Sequence, residues 1–256
     1  MNPNRVLVYH KIDPKPELGL TCIHPGQFRK QIEFLIKNGF RFVTLSELVK
    51  LNNPDNKTIA ITFDDGYKDV YEFAFPVLSQ YSIPATVFII TDYIGKRNDW
   101  DANLGWIHYE HLNEDEIRFL QKAGWEIGSH SVSHKSIHGM TENEIIYQLT
   151  CSKEILEDKF AQRIDFYSPP FGSISNRIRT LALRSGYKGI CGFYSFKYYK
   201  NQLLPGIIPR LAVYRADTIG SVRRKLLSDS NLFKEVLKQN IINFCSNATI
   251  MVNTLR

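Results

Sequence analysis

The chain has 256 residues, of which 43% are hydrophobic, and its 32 basic and 26 acidic residues give a net charge of +6. This hydrophobic content favours a folded globular chain over a disordered one, and the mild, scattered charge excess does not favour a nucleic-acid partner. No run approaches the length of about 18 apolar residues that a membrane-spanning helix needs.

The apolar pattern predicts strands that alternate with helices. Strands are predicted at 6–9, 41–44, 58–63, 85–90, 125–129, 164–167, 189–192 and 210–214, and helices at 28–37, 45–51, 69–80, 114–123, 141–160, 174–185, 219–227 and 232–244. Thr141 and Glu144 are spaced as a capping box for the long helix that ends near Phe160. The repeated order predicts a single parallel α/β domain over 1–256, either a barrel or an open sheet.

The N-terminus and the cysteines bear on the cellular compartment of the protein. The N-terminus lacks a basic start followed by a long apolar core, so we expect no signal peptide and a cytoplasmic protein. The four cysteines are widely spaced and form no CxxC pair, which indicates isolated thiols in a reducing compartment. The sequence does not indicate an oligomeric state.

Polar clusters follow three of the predicted strands. Asp64 and Asp65 end one strand, His130 ends another, and the segment 168–172 follows a third. In a β/α barrel the carboxyl ends of the strands share one face, where active sites lie. Three segments that are distant in sequence are therefore expected to meet at one pocket.

The pair His130 and His134 has a spacing that can direct two imidazoles at one ion. Imidazole suits Zn²⁺ and its first-row neighbours, and two histidines with one carboxylate leave a coordination position open for water. Taken alone, the pair fits a helix cap or a surface pair equally well.

Adjacent carboxylates after a strand point in different directions, because side chains alternate across a strand. One of Asp64 and Asp65 can therefore bind a metal while the other takes a proton from water. An ordinary Asp-Asp-Gly turn is the alternative. In the segment 168–172, two prolines and a glycine make a rigid loop that can present the Phe171 amide to an oxyanion, and a plain loop is the alternative there.

These motifs together resemble those of the polysaccharide deacetylases of the NodB-homology type, also called carbohydrate esterase family 4. The segment 62–66 resembles the first motif, T-F-D-D-G, and 129–134 resembles the second, S-H-[ST]-x-x-H. The segment 169–172 matches most of the third, R-x-P-[FY]-G. The resemblance spans about residues 6 to 214.

The resemblance implies a distorted (β/α)₇ barrel and a metal-dependent deacetylase of N-acetylated saccharides. By position, Asp64 is the general base, and Asp65, His130 and His134 hold a divalent metal, usually Zn²⁺. The family pattern implies that metal-bound water attacks the acetamide carbonyl, and that the metal and the Phe171 N–H stabilise the oxyanion.

The opening segment, with Tyr9 and His10 at a strand end, resembles deacetylases of which some act on poly-N-acetylglucosamine. His10 either reaches the rim of the pocket or is an ordinary half-buried histidine.

The third motif usually begins with an arginine that orients the base, and Ser168 stands there instead. Arg210 either replaces that arginine or is an ordinary arginine near a strand end.

The family's late histidine, the usual general acid, has no counterpart, since the last histidine is His138. The leaving group then needs another proton donor, such as His10 or water on the metal. These departures keep two alternatives open: a catalytically weak or silent carbohydrate-binding protein, and a hydrolase of another C–N amide bond.

For several other residues we expect solvent exposure or loop packing rather than a role in the site: His108, His111, Trp100, Trp106, Tyr194, Phe196, Tyr198 and Tyr199.

Overall fold

The computed structural model describes residues 5–15, 19–51, 55–98, 108–137, 139–172, 174–194, 204–227 and 237–238. Its strands are β1 (Arg5–Tyr9), β2 (Lys11–Ile12), β3 (Cys22–Ile23), β4 (Arg41–Phe42), β5 (Thr58–Phe63), β6 (Thr86–Ile89), β7 (Glu126–Ser129), β8 (Phe166–Tyr167), β9 (Gly189–Phe193) and β10 (Ile207–Ala212). Its α-helices are α1 (Pro25–Lys37), α2 (Leu45–Lys50), α3 (Phe75–Ser79), α4 (Glu114–Lys122), α5 (Glu142–Phe160), α6 (Asn176–Arg184) and α7 (Ile219–Leu227).

Seven parallel strands close into a barrel. Neighbouring strands pair in the order β1, β10, β9, β8, β7, β6 and β5, and β1 also pairs with β5, which closes the ring. The ring is uneven, because β8 has two residues and meets β7 at a single aligned pair, Ser129 with Tyr167. Of the two architectures left open by the sequence, the distorted seven-stranded barrel is confirmed.

Two smaller sheet features lie outside the ring. The short strand β4 pairs with the first two residues of β5, and β2 and β3 form a separate parallel pair. The sequence pattern did not predict β2 and β3, because two-residue strands are too short for a period to appear.

Several predicted helices agree with the structure, and one is irregular. Thr141 and Glu144 form the predicted capping box, in which each side chain accepts the other's backbone N–H, at 3.3 and 2.7 Å. The helix predicted at 69–80 begins as a π-helix, Val70–Ala74, before α3. Pro76 has no N–H to donate, which prevents a regular α-helical ladder at this point. The helix predicted at 232–244 lies almost entirely outside the described residues.

The core has two layers. A large cluster, including Leu7, Ile61 and Val87, packs between the strands and the surrounding helices. A smaller cluster takes one inward residue from each of six barrel strands: Val6, Ala60, Phe88, Phe166, Cys191 and Ile208. Because side chains alternate along a strand, residues two further along from these also face the barrel interior.

The strand β7 contributes Gly128 to the interior, opposite Phe88 in the register. A Cβ atom at Gly128 would lie 2.5 Å from ring carbons of Phe88. We expect Gly128→Ala to lower the free energy of unfolding by about 1–3 kcal/mol through overpacking, measured by urea denaturation. Gly220→Ala on the exposed face of α7 is the control and should keep or raise stability. An unchanged midpoint for Gly128→Ala would contradict tight packing of the interior.

Two further observations concern the thiols and the helices of the described residues. Cys22, Cys151 and Cys191 are free thiols. No helix in this part of the chain has the length and apolar character to cross a membrane.

Candidate functional site

The alternation of side chains along the strands brings polar residues to the carboxyl end of the barrel interior. Asp64 lies two residues beyond the inward Thr62 of β5, and His130 lies two beyond Gly128 of β7. In the same way, Ser168 and Arg210 lie two residues beyond the inward Phe166 and Ile208. The interior is apolar in its middle and polar at this end, so the site has a buried apolar floor.

Three residues converge as a candidate metal centre. The Oδ1 atom of Asp65 lies 3.1 Å from Nε2 of His130 and 3.2 Å from Nε2 of His134. One potential ligand atom from each residue lies within 4.8 Å of the others, and all three residues are buried. Two imidazoles and one carboxylate are a donor set that Zn²⁺ takes in catalytic sites, with a position left for water.

The backbone at this centre adopts a conformation that L-residues rarely use. Asp65, Ser131 and His134 have φ values of 68°, 72° and 55°. Non-glycine residues in this region cost about 1–3 kcal/mol each and cluster at functional sites. The positive φ of Asp65 interrupts the alternation of β5, so that Asp65 reaches the two histidines although Asp64 already occupies the inward position.

Helix α5 supports the loop that carries the two histidines. The side-chain oxygen of Gln148 accepts the N–H groups of Val132 at 3.0 Å and Ser133 at 3.2 Å. The Ser131 hydroxyl accepts the N–H of His134 at 3.1 Å. These bonds satisfy three buried or partly buried donors and hold the turn in its strained form.

The orientation of His130 suits metal binding. Its Nδ1 donates to the carbonyl oxygen of Ser168 at 2.7 Å. A carbonyl oxygen only accepts, so Nδ1 carries a hydrogen, and Nε2, which faces Asp65 and His134, is the atom that can offer a lone pair to an ion once it is deprotonated. A histidine that ligates a metal commonly makes this type of second hydrogen bond, and the residues present therefore fit a divalent ion.

Beside this centre, Asp64 is held by a buried arginine. Two nitrogens of the Arg210 guanidinium donate to the two carboxylate oxygens of Asp64, each at 2.7 Å. The Ser168 hydroxyl accepts from Arg210 at 2.8 Å and donates to Asp64 at 3.2 Å. Such bidentate pairs fix orientation as well as charge.

The charge state of Asp64 follows from these contacts. Burial alone would raise the pKa of Asp64, but the charges of Arg210 and then His130 outweigh it and hold the pKa below its usual value. In the same way, burial opposes the hydrogen bonds from His130 and His134, which hold the pKa of Asp65 well below its usual value. Both carboxyl groups are therefore ionised at neutral pH.

The sequence left two interpretations of Arg210 open. In the structure Arg210 is fully buried and hydrogen-bonds to Asp64, so it is not a surface arginine. The contribution of Ser168 was missed, because the sequence presented it only as a departure from the arginine motif. Its position two residues after an inward strand residue is the signal that points to it.

His10 and Phe171 also lie at this end of the barrel. Burial is the main influence that lowers the pKa of His10, while the charges of Asp65 and Asp64 oppose the shift, which places His10 within reach of their field. Its Nδ1 is buried and has no hydrogen-bond partner in the described part of the chain. Phe171 has a φ of 60°, and its ring centroid lies 5.0 Å from that of His134.

The remaining residues singled out by sequence differ in their surroundings. His108 is exposed, as expected. The expected exposure of His111 is wrong: it is buried and stacks on Tyr67, with ring centroids 4.8 Å apart. Tyr194 is buried, and its N–H donates to the carbonyl of Arg210 at 2.8 Å. Five of the residues lie outside the described part: Trp100, Trp106, Phe196, Tyr198 and Tyr199.

Comparison with known families and proteins gives consistent results. The family model described as polysaccharide deacetylase matches residues 51–190. The protein YxkH of Bacillus subtilis is 29% identical over 187 residues, which cover 72% of this chain and 62% of YxkH. The chain thus spans less than two thirds of that relative.

Two further comparisons concern a named enzyme and a solved structure. The poly-beta-1,6-N-acetyl-D-glucosamine N-deacetylase of Staphylococcus aureus is 26% identical over 216 residues, covering 77% of this chain and 69% of the enzyme. The structure of the Streptococcus pyogenes deacetylase PplD superposes with a TM-score of 0.73 at 20% identity, covering 87% of this chain and 97% of that one. The second comparison bears on the fold alone.

Proposed function

The chain belongs to the polysaccharide deacetylase family, whose model matches residues 51–190, and on that premise we propose that it removes N-acetyl groups from N-acetylated saccharides by metal-dependent hydrolysis. Polymers of N-acetylglucosamine are the substrate class we propose, because the relative from Staphylococcus aureus is named for that activity.

One observation carries the proposal. An ionised carboxylate, Asp64, is clamped by Arg210 next to a separate cluster of Asp65, His130 and His134. The chain thus offers a base and a set of metal ligands that do not compete for the same carboxylate. Metal-dependent hydrolysis of an amide by activated water uses both.

The residues have distinct roles in the proposed reaction. Asp65, His130 and His134 hold a divalent ion, for which we propose Zn²⁺. When bound, such an ion makes a water molecule more acidic and polarises a carbonyl oxygen. Asp64 accepts the proton of the attacking water, and Arg210 keeps its carboxylate ionised and oriented.

Two further groups complete the proposed mechanism. His10, in its protonated form, donates the proton that the leaving amine needs. Burial lowers the pKa of His10, but the charges of Asp65 and Asp64 favour the protonated form, and its buried Nδ1 has no partner in the described part of the chain. The N–H of Phe171 stabilises the oxyanion, and the contact between the Phe171 and His134 rings supports this by bringing the loop to the metal ligands. The products are acetate and a free amine on the sugar.

Acetate release from N-acetylglucosamine oligomers, with metal content measured on the same protein, tests the proposal. We expect release by the metal-loaded protein, and a fall of at least about 100-fold after chelation or in His130→Ala, because loss of the ion removes the activation of water. His130→Ala should also retain less metal after dialysis.

The control is His24→Asn, which alters an exposed histidine and keeps a good N-cap residue for α1; metal content and acetate release should not change. Metal binding without release from any acetylated sugar would overturn the deacetylase proposal in favour of a silent binding protein. Full metal content in His130→Ala would overturn the assignment of the ligands.

A further inference from the structure

A polar pocket lies among the loops at the same end of the barrel as the candidate metal centre. It has a volume of about 390 Å³ and is formed mainly by Asp13, Lys15, Lys68, Asp69, Arg97 and Tyr109. Asp13 follows β2, and Asp69 lies four residues beyond Asp65, so both belong to the connections that leave the carboxyl ends of β1 and β5. We call it the Asp69 pocket.

Asp69, one of the residues that line this pocket, has a hydrogen-bonding atom with no partner in the described part of the chain. Asp69 is 6% exposed, and its Oδ1 accepts the N–H of Ile12 at 3.1 Å. Its Oδ2 is buried and has no hydrogen-bond partner among the residues that the structure describes. Most buried polar atoms in folded proteins have a partner, so an exception calls for one.

A second buried carboxyl group faces the same space. Asp13 is 8% exposed, and its Oδ1 accepts the N–H of Lys15 at 2.7 Å. The pKa of Asp69 is raised to about 8, mainly by burial. The hydrogen bond from Ile12 opposes this rise, and the charge of Asp13 adds to it. At neutral pH the Asp69 carboxyl therefore carries a proton in most molecules, so it can donate as well as accept.

The charges around the pocket favour a neutral ligand. Lys68 pairs with Glu110 at 3.2 Å and with Glu72 at 4.0 Å, and Arg97 pairs with Glu110 at 3.4 Å, so two cations face two carboxylates at the rim. Within the described ranges, the group of Asp65, His130 and His134 is the one place where three potential ligand atoms converge for an ion. The volume falls in the range of small-molecule sites, roughly 300–1,000 Å³, and is larger than an ion requires.

We propose that the Asp69 pocket is a saccharide subsite, in which Asp13 and Asp69 hydrogen-bond the hydroxyl groups of a second sugar unit in the same saccharide as the one that is deacetylated. The subsite rests on the proposed function, because it assumes a substrate of several sugar units. It would select oligomers over single sugars, since a single sugar cannot occupy the metal centre and the pocket together.

The test is calorimetric titration of the β-1,6-linked tetramer of N-acetylglucosamine into the full chain. Titrations use the wild type, His130→Ala, Asp13→Ala, Asp69→Ala and Asp69→Asn. We expect His130→Ala to keep binding, and the two alanine variants of the pocket to bind at least about tenfold more weakly, as loss of a buried hydrogen-bonding group predicts. Asp69→Asn keeps a donor and an acceptor and should bind within a few-fold of the wild type.

Asp115→Asn, an exposed change in the first turn of α4 outside the pocket, is the matched control. Thermal unfolding shows which variants fold, and Asp13→Ala decides the matter if Asp69→Ala does not. Unchanged tetramer affinity in the pocket variants, with acetate still released by the wild type, would overturn the subsite and leave the proposed function standing.

Two other outcomes also count against the subsite. If the wild type neither binds the tetramer nor releases acetate from it, the proposed function fails and the subsite fails with it. If Ca²⁺ alone binds to the metal-free wild type in equilibrium dialysis and the binding is lost in Asp69→Ala, the pocket is a cation site.

Discussion

Asp64→Asn is expected to lower the kcat of acetate release by about 10²–10⁴-fold, the usual contribution of a general base. An asparagine has the same shape and can still accept one hydrogen bond from Arg210, but it cannot take a proton from water. Because Asp64 is not one of the proposed ligands, metal content should stay at the wild-type level. The measurement is steady-state acetate release with metal analysis of the same preparation.

Ser168→Ala is the matched control for Asp64→Asn. It removes a hydroxyl that donates to Asp64 at 3.2 Å and accepts from Arg210 at 2.8 Å, but it leaves the backbone carbonyl that orients His130. A single hydrogen bond of this kind contributes about 1 kcal/mol, so we expect a loss below about tenfold. If Asp64→Asn lost no more activity than Ser168→Ala, another group would have to be the base.

The strand ends were predictable because their signals are local. Apolar runs that end in Asp64-Asp65 or in His130 predict both a strand and its polar end, and parallel topology brings such ends together. The structure places Asp65, His130 and His134 within contact distance. Their roles as ligands, and that of Asp64 as base, stay predictions until the experiments above are done.

The partners of Asp64 were harder to predict, because they lie far from it in sequence and their direction depends on where their own strands begin. Arg210 lies 146 positions from Asp64 in sequence, and its inward direction follows from where β10 begins. The sequence pattern started this strand at 210, whereas the strand spans Ile207–Ala212. A shift of that size hides which of two neighbouring side chains faces the interior.

The Asp69 pocket had no local signal at all. Asp13 follows a two-residue strand that no pattern revealed, and Asp69 lies in a segment predicted as a plain helix. Their approach depends on how the β2–β3 pair packs against the π-helix. Such a pocket is visible only once the tertiary structure is known.

Arg210→Met is expected to destabilise the protein by about 3–5 kcal/mol at neutral pH, the usual cost of removing one partner of a buried ion pair. Asp64 is 2% exposed and Arg210 is fully buried, so water cannot replace the lost charge. A loss of this size is a large share of the 5–15 kcal/mol typical of folded domains. The measurement is urea denaturation, with Arg210→Lys as a variant that keeps the charge but not the two-pronged contact.

The loss of the Arg210 charge should also reverse the direction in which the Asp64 contribution to stability changes with pH. In the wild type the folded pKa of Asp64 lies below its unfolded value, so the stabilisation is present above about pH 4 and is lost as the pH falls through the folded pKa. In Arg210→Met, burial becomes the dominant influence and raises the folded pKa above the unfolded one. Stability should then fall as the pH rises from about 4 towards neutrality.

A double variant separates the ion pair from the packing of Arg210, whose guanidinium also lies 5.1 Å from the Phe88 ring centre. Asp64→Asn with Arg210→Met removes both charges, so it should recover part of the stability lost in Arg210→Met alone. The two residues belong to one network, so their effects are coupled. The stability losses of Asp64→Asn and Arg210→Met should therefore sum to more than the loss measured in the double variant. Strict additivity, or an unchanged pH dependence in Arg210→Met, would mean that Arg210 contributes by packing and not by holding Asp64 ionised.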